Sequence, residues 1–179
     1  MRVEKRDIEI KTVNINRVIK SRKVKAYEEV YISDRAIIKP KALHKIRKYN
    51  NELTKKYGIS QKPDILIVTN EELNYNVLGV YLAISNVVVY PPDVTKETQR
   101  HEMKHCQQAD AYKKNGKKIS KSNYSEYINE ICKTSKSHMN ILGINEENVS
   151  EISKYAKDMF ELDRFDEVEA EYEALKGDS

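Results

Sequence analysis

The stretch that most constrains this chain is Thr98 to Ala109, TQRHEMKHCQQA, in which His101, Glu102 and His105 form the pattern H-E-x-x-H. A helix turns about 100° per residue, so side chains four apart stand one turn above each other on the same face. Two imidazoles placed this way can share one tetrahedral zinc ion at about 2.0–2.1 Å each. Glu102 lies beside them, where a carboxylate can take a proton from a metal-activated water. Only four histidines occur in the chain, so this pairing carries weight.

The rest of the sequence must supply a fold that buries such a helix. At 179 residues the chain fits one domain, or a domain with an arm. Hydrophobic residues are 39% and charged residues 34%, which predicts a globular body with a charged surface. The apolar runs at 65–68 and 87–89 are far too short for a membrane span, and the charged start MRVEKRDIEIK does not read as a secretory signal. A soluble protein, cytoplasmic in a bacterial host or carried in a virion, is expected. Cys106 and Cys132 make no disulfide framework and no C-x-x-C pair.

Charge divides the chain. Residues 1–62 carry 18 Lys plus Arg against 7 Asp plus Glu, a balance of +11, whereas residues 63–179 carry 14 against 21, a balance of −7. A basic arm of this kind can meet nucleic acid or an acidic partner. Aromatic interleaving is sparse there, limited to Tyr27, Tyr31, Tyr49 and Tyr57, and a solvated helix face is the preferred reading. The expected organisation is a basic N-terminal arm and helix over 1–62 packing on a body over 63–179.

Alternation at Ile8, Ile10, Val13 and Ile15 suggests short strands. Pro40 opens a helix carrying Leu43, Ile46, Tyr49 and Leu53, which Gly58 ends; His44 lies on it among lysines as a surface residue. Asp64 to Thr69 predicts a central strand. Val80 to Tyr90 predicts a hairpin or bent strand turning near Ser85-Asn86 and stopped by Pro91-Pro92. Asp93 or Thr95 can cap the H-E-x-x-H helix, which should run to about Lys114. One line of that helix is thinly apolar (Met103, Cys106, Ala109) and the other polar (His101, His105, Gln108, Tyr112), so its burial needs a cause such as a metal. Three more helices are expected, from Ser122 to Leu142, from Asn145 or Asn148 through Met159, and from Asp163 to Leu175.

A catalytic zinc site takes three protein ligands and leaves the fourth position to water. The extension H-E-x-x-H-x-x-G-x-x-H is excluded, because Gln108 and Ala111 occupy the Gly and third His positions. His138 is one remaining candidate. The last helix offers others, with carboxylates at 167, 169, 171 and 173 in ArgPheAspGluValGluAlaGluTyrGluAla, residues 164–174.

Glu169 followed by Ala170 resembles the third-ligand context of gluzincin metallopeptidases, in which a glutamate on a downstream helix completes a His2Glu site. In that register Glu173, one turn on, would orient a ligand histidine; Glu167 with Glu171 is the competing register. The order of elements is similar as well, and Asp64 to Tyr172 resembles the metallopeptidase-like domain at the C-terminal end of minor head proteins of phages and prophages of Gram-positive bacteria. The resemblance covers about three-fifths of the chain.

It implies an α+β, zincin-like fold with a small, mainly antiparallel sheet, an edge strand above the H-E-x-x-H helix, and three further helices. It further implies one Zn2+ held by His101, His105 and Glu169, with Glu102 as general base. Val87, Val88, Val89 and Tyr90 would hold an extended peptide by strand addition. The expected activity is peptide-bond hydrolysis, with a structural role in a phage head as the alternative and phage structural proteins as partners. An oxyanion donor remains open among Tyr124, Tyr127, Tyr155, Tyr172 and His138.

Overall fold

The computed structural model describes residues 5–12 and 15–177, with side chains from residue 18 onward; the expectation for Val13 lies outside them. The fold is α+β, a six-stranded sheet with helices. The strands are β1 (Lys5–Thr12), β2 (Ile15–Lys23), β3 (Val30–Ser33), β4 (Asp64–Ile67), β5 (Val80–Leu82) and β6 (Val87–Tyr90). The helices are α1 (Pro40–Lys56), α2 (Lys96–Lys114), α3 (Tyr124–Ile141), α4 (Lys154–Glu161) and α5 (Phe165–Lys176), with a 3-10 turn at Val149–Glu151.

Strand order is β1-β2-β3-β4-β6-β5. The sheet is mixed: β3, β4 and β6 run parallel, while β1, β2 and β5 join antiparallel to their neighbours. The expected mainly antiparallel sheet is therefore corrected at its centre. The cause is the connection, because α1 carries the chain from β3 back to the start of β4, the kind of crossover that parallel neighbours require. The first 62 residues thus supply three strands of the sheet as well as α1, and β3 pairs directly with β4.

The expected edge strand is also corrected. Val87–Tyr90 lies between β4 and β5 and is completely buried, while β5 takes the outer position. ValValValTyr has no alternating polar residue, the pattern of a strand covered on both faces. One face of the sheet meets Leu43, Ile46 and Leu53 of α1 and Met103, Cys106 and Ala109 of α2. The other is closed by Leu73 and Val77 from the segment after β4, packed on Leu66, Val87 and Val89. Glu72 pins that segment, accepting from the Ser33 hydroxyl at 2.7 Å and the Thr69 amide at 2.9 Å.

The β5–β6 turn falls where the sequence places it. Asn86 adopts φ 55°, and its Oδ1 accepts from the Tyr81 hydroxyl at 2.8 Å. α2 is capped by the Thr95 hydroxyl, which accepts from the Thr98 amide at 3.1 Å. Its polar residues are tied down: Gln99 donates to Asn50 at 2.6 Å, and Asp110 accepts from the Ser60 hydroxyl at 2.6 Å. α3, α4 and α5 share a third core built from Met139, Ala156, Phe165 and Val168.

Gly79 sets how closely β5 approaches α2. A Cβ at this position would stand 2.9 Å from Thr98 Cγ2, 3.2 Å from Glu102 Cγ and 3.3 Å from a Tyr90 ring carbon. Overpacking of this kind costs about 1–3 kcal/mol. Gly79→Ala is expected to lower unfolding stability by that amount in a denaturant titration; an unchanged midpoint would show that β5 is free to move off α2.

Candidate metal centre

The centre forms where α2 meets α5. His101 and His105 stand one turn apart on α2, and their Nε2 atoms lie 3.2 Å from each other. Glu167 Oε2 of α5 lies 3.3 Å from His101 Nε2 and 3.2 Å from His105 Nε2. These three groups could hold a metal ion. Two ligand atoms at about 2.0–2.1 Å from a tetrahedral ion are separated by about 3.3 Å, so the observed triangle has the size a zinc ion would impose. The donor set fits too, since two imidazoles and a carboxylate suit zinc.

Neighbouring side chains orient Glu167 and His101. Glu167 Oε1 accepts from Arg164 Nη2 at 2.9 Å, which leaves Oε2 turned to the histidines. The Tyr155 hydroxyl of α4 donates to that same Oε2 at 2.8 Å. His101 Nδ1 lies 3.4 Å from Glu171 Oε2. Glu167 and Glu171 therefore occupy the positions expected of Glu169 and Glu173.

Glu169 leaves a different face of α5 and enters the seam between α2 and α3. Its Oε1 is 2.9 Å from Lys104 Nζ and 3.1 Å from His138 Nδ1, and its Oε2 accepts from Ser135 at 2.6 Å and Gln108 at 3.0 Å. Glu173 lies near the Tyr57 phenol just past the end of α1, where burial first and the Glu173 charge second disfavour ionisation of that phenol. The correction has a simple geometric basis. Residues two apart on a helix are about 200° apart, so the pairs 167/171 and 169/173 face opposite ways. Ala170 and Ala174 lie within about 60° of Glu167 on the helical wheel, and both are buried. These small side chains let α5 approach α2, where Ala174 O accepts from Arg100 Nε at 2.8 Å. That alanine pair is the sequence signal that would have selected the 167/171 register.

Glu102 is buried beneath Gly79–Tyr81, with the Tyr81 backbone N–H at its carboxylate. Burial raises its pKa above the usual range, opposed by the charges of His101 and His105. A carboxylate so raised is a better proton acceptor. Burial disfavours the charged form of His101, but hydrogen bonds to Glu167 and Glu171 and the nearby charges of Glu102 and Glu167 outweigh it, holding its pKa up at about 10. His105 is raised in the same way by Glu167, and Glu167 is pulled well below the carboxylate range by both histidines against its burial. The ionised Glu167 thus favours the protonated form of the imidazoles beside it.

A cleft of about 450 Å³ opens beside the centre, lined by Val77, Leu78, Gly79, His101, Glu102 and Tyr155 among others. Of the candidate oxyanion donors only Tyr155 is at the site. Tyr127 is buried against Tyr112, Tyr124 packs on Tyr127, Tyr172 belongs to the third core, and His138 is bound to Glu169. Among the described residues no helix is long and apolar enough to cross a membrane. Comparison of the chain with protein-family models, curated proteins and solved structures returns no match to any of them.

Two outcomes check the centre. Glu167→Ala should weaken zinc binding by more than about 100-fold, beyond the cost of losing an outer partner; retained affinity would remove Glu167 from the ligand set. The raised His101 pKa gives the metal-free fold stability that is fully present below the unfolded value of 6.5 and lost as pH rises towards about 10. Denaturant titrations of metal-free protein should show this decline, and zinc-loaded protein should lack it because metal displaces the histidine protons. A flat metal-free profile would contradict the pairing of protonated His101 with Glu167 and Glu171.

Proposed function

We propose that this chain is a zinc-dependent hydrolase of peptide bonds with a gluzincin-type ligand set of His101, His105 and Glu167. The observation that carries this reading is the triangle of two imidazole nitrogens and one carboxylate oxygen at 3.2–3.3 Å, with Glu102 beside it. The zinc ion, when bound, polarises the scissile carbonyl and acidifies a water to a pKa of about 7. Glu102 takes the proton of the attacking water and returns it to the leaving amine, a role suited to its raised basicity. The Tyr155 hydroxyl lines the cleft and donates its single O–H to Glu167 Oε2 at 2.8 Å; turned from that carboxylate to the substrate, the same O–H would serve the developing oxyanion.

The substrate reading rests on the sheet. β5 has no strand on its outer side among the described residues, and Gly79, which immediately precedes it, lines the cleft. A sheet edge without a neighbouring strand can take an extended peptide as a further strand, so Val80–Leu82 replaces Val87–Tyr90 as the proposed peptide-holding strand.

The test compares wild type with Glu102→Gln in zinc content and in cleavage of a generic peptide mixture. The variant is expected to keep one zinc per chain and to lose cleavage by at least about 100-fold, the lower end of what a positioned general base supplies. Zinc bound by wild type without any chelator-sensitive cleavage would instead assign the ion a structural role.

A further inference from the structure

Gln108 stands one helical turn below His105, its amide wedged between the metal centre and Glu169. Its Oε1 lies 2.9 Å from His105 Nδ1. Its Nε2 faces three acceptors: Glu169 Oε2 at 3.0 Å, the Asp166 backbone oxygen at 3.1 Å and Ser135 Oγ at 3.3 Å. An ionised carboxylate and a carbonyl can only accept hydrogen bonds, so the amide cannot be turned round without pressing its oxygen against two others. The NH2 must face Glu169, and Oε1 must face the imidazole. His105 must then donate from Nδ1–H, which leaves the lone pair of its neutral ring on Nε2, the atom aimed at Glu167 and His101.

Glu169 is itself held. It is 6% exposed and takes donors on both oxygens, from Lys104 and His138 on one and Ser135 and Gln108 on the other. These partners come from α2 and α3, so the carboxylate is fixed by the packing of both helices on α5.

We propose that Gln108, locked in one amide orientation by Glu169, is a positioning residue that sets the His105 tautomer and aims its Nε2 at the metal. This rests on the zinc reading above. Loss of an outer partner of a metal-bound histidine costs about 10–100-fold in metal affinity, and Gln108→Leu keeps the side-chain size while removing both hydrogen bonds.

The experiment measures zinc affinity by chelator competition for wild type, Gln108→Leu and Glu169→Gln. It also records the exchange rate of the His105 Nδ1–H proton by NMR on the zinc-loaded proteins. Gln108→Leu is expected to bind zinc about 10–100-fold more weakly and to lose a slowly exchanging Nδ1–H signal. Glu169→Gln, whose amide can still present an oxygen to Gln108, is expected to show a smaller loss with the signal retained. Comparing the unfolding of the metal-free proteins separates positioning from folding, since a positioning role predicts an affinity loss larger than any stability change accounts for. Zinc affinity in Gln108→Leu within twofold of wild type, or an unchanged Nδ1–H signal, would overturn the proposal while leaving the zinc site intact. Failure of wild type to bind zinc would overturn both.

Discussion

One carboxylate oxygen placed within 3.3 Å of two imidazole nitrogens is the contact on which the rest of the structure's chemistry depends. Such a cluster of donors is not self-sufficient. Two Nε2 atoms 3.2 Å apart need a proton or a cation between them, and the carboxylate supplies the charge that attracts either. The same electrostatics that raise the histidine pKa values and depress that of Glu167 would favour a divalent ion in the proton's place. The contact needs α5 close to α2, which Ala170 and Ala174 permit, and Arg164 to hold the far oxygen of Glu167.

The surrounding fold places three different supports around that contact. The sheet supports α2 from one side through Met103, Cys106 and Ala109, so the helix presents its histidines away from the core. β5 reaches over Glu102 because Gly79 has no Cβ to hold it off, and the general-base candidate is thereby desolvated and made more basic. α4 adds Tyr155, whose hydroxyl touches Glu167 and whose ring lies 6.1 Å from that of His101. The base candidate and both imidazoles thus share α2, while Glu167 comes from α5 and Tyr155 from α4, so the cluster depends on how these three helices pack.

Much of this was readable from residues alone, and the exceptions have definite causes. Pro40, Thr95 and Gly177 mark helix ends because their effects are local, and the positions of α1, α2 and α5 follow from them. His101, Glu102 and His105 were legible because helical spacing fixes their relation before any tertiary contact forms. The third candidate ligand was not, since carboxylates at every second position present the same chemistry to different sides of α5, and only the packing partner decides which side is used. Strand order was hidden for a similar reason. Val87–Tyr90 and Val80–Leu82 are both apolar, and which of them is outermost depends on β4 pairing with β6, a long-range choice that the hairpin does not encode.

Two imidazoles and one carboxylate of this chain are proposed to bind a single zinc ion. Zinc K-edge X-ray absorption of the loaded protein reads that shell directly. Two imidazole nitrogens with oxygen donors completing the coordination are expected, all at about 2.0–2.2 Å. A first shell containing sulphur, or one holding fewer than two imidazoles, would contradict that ligand set.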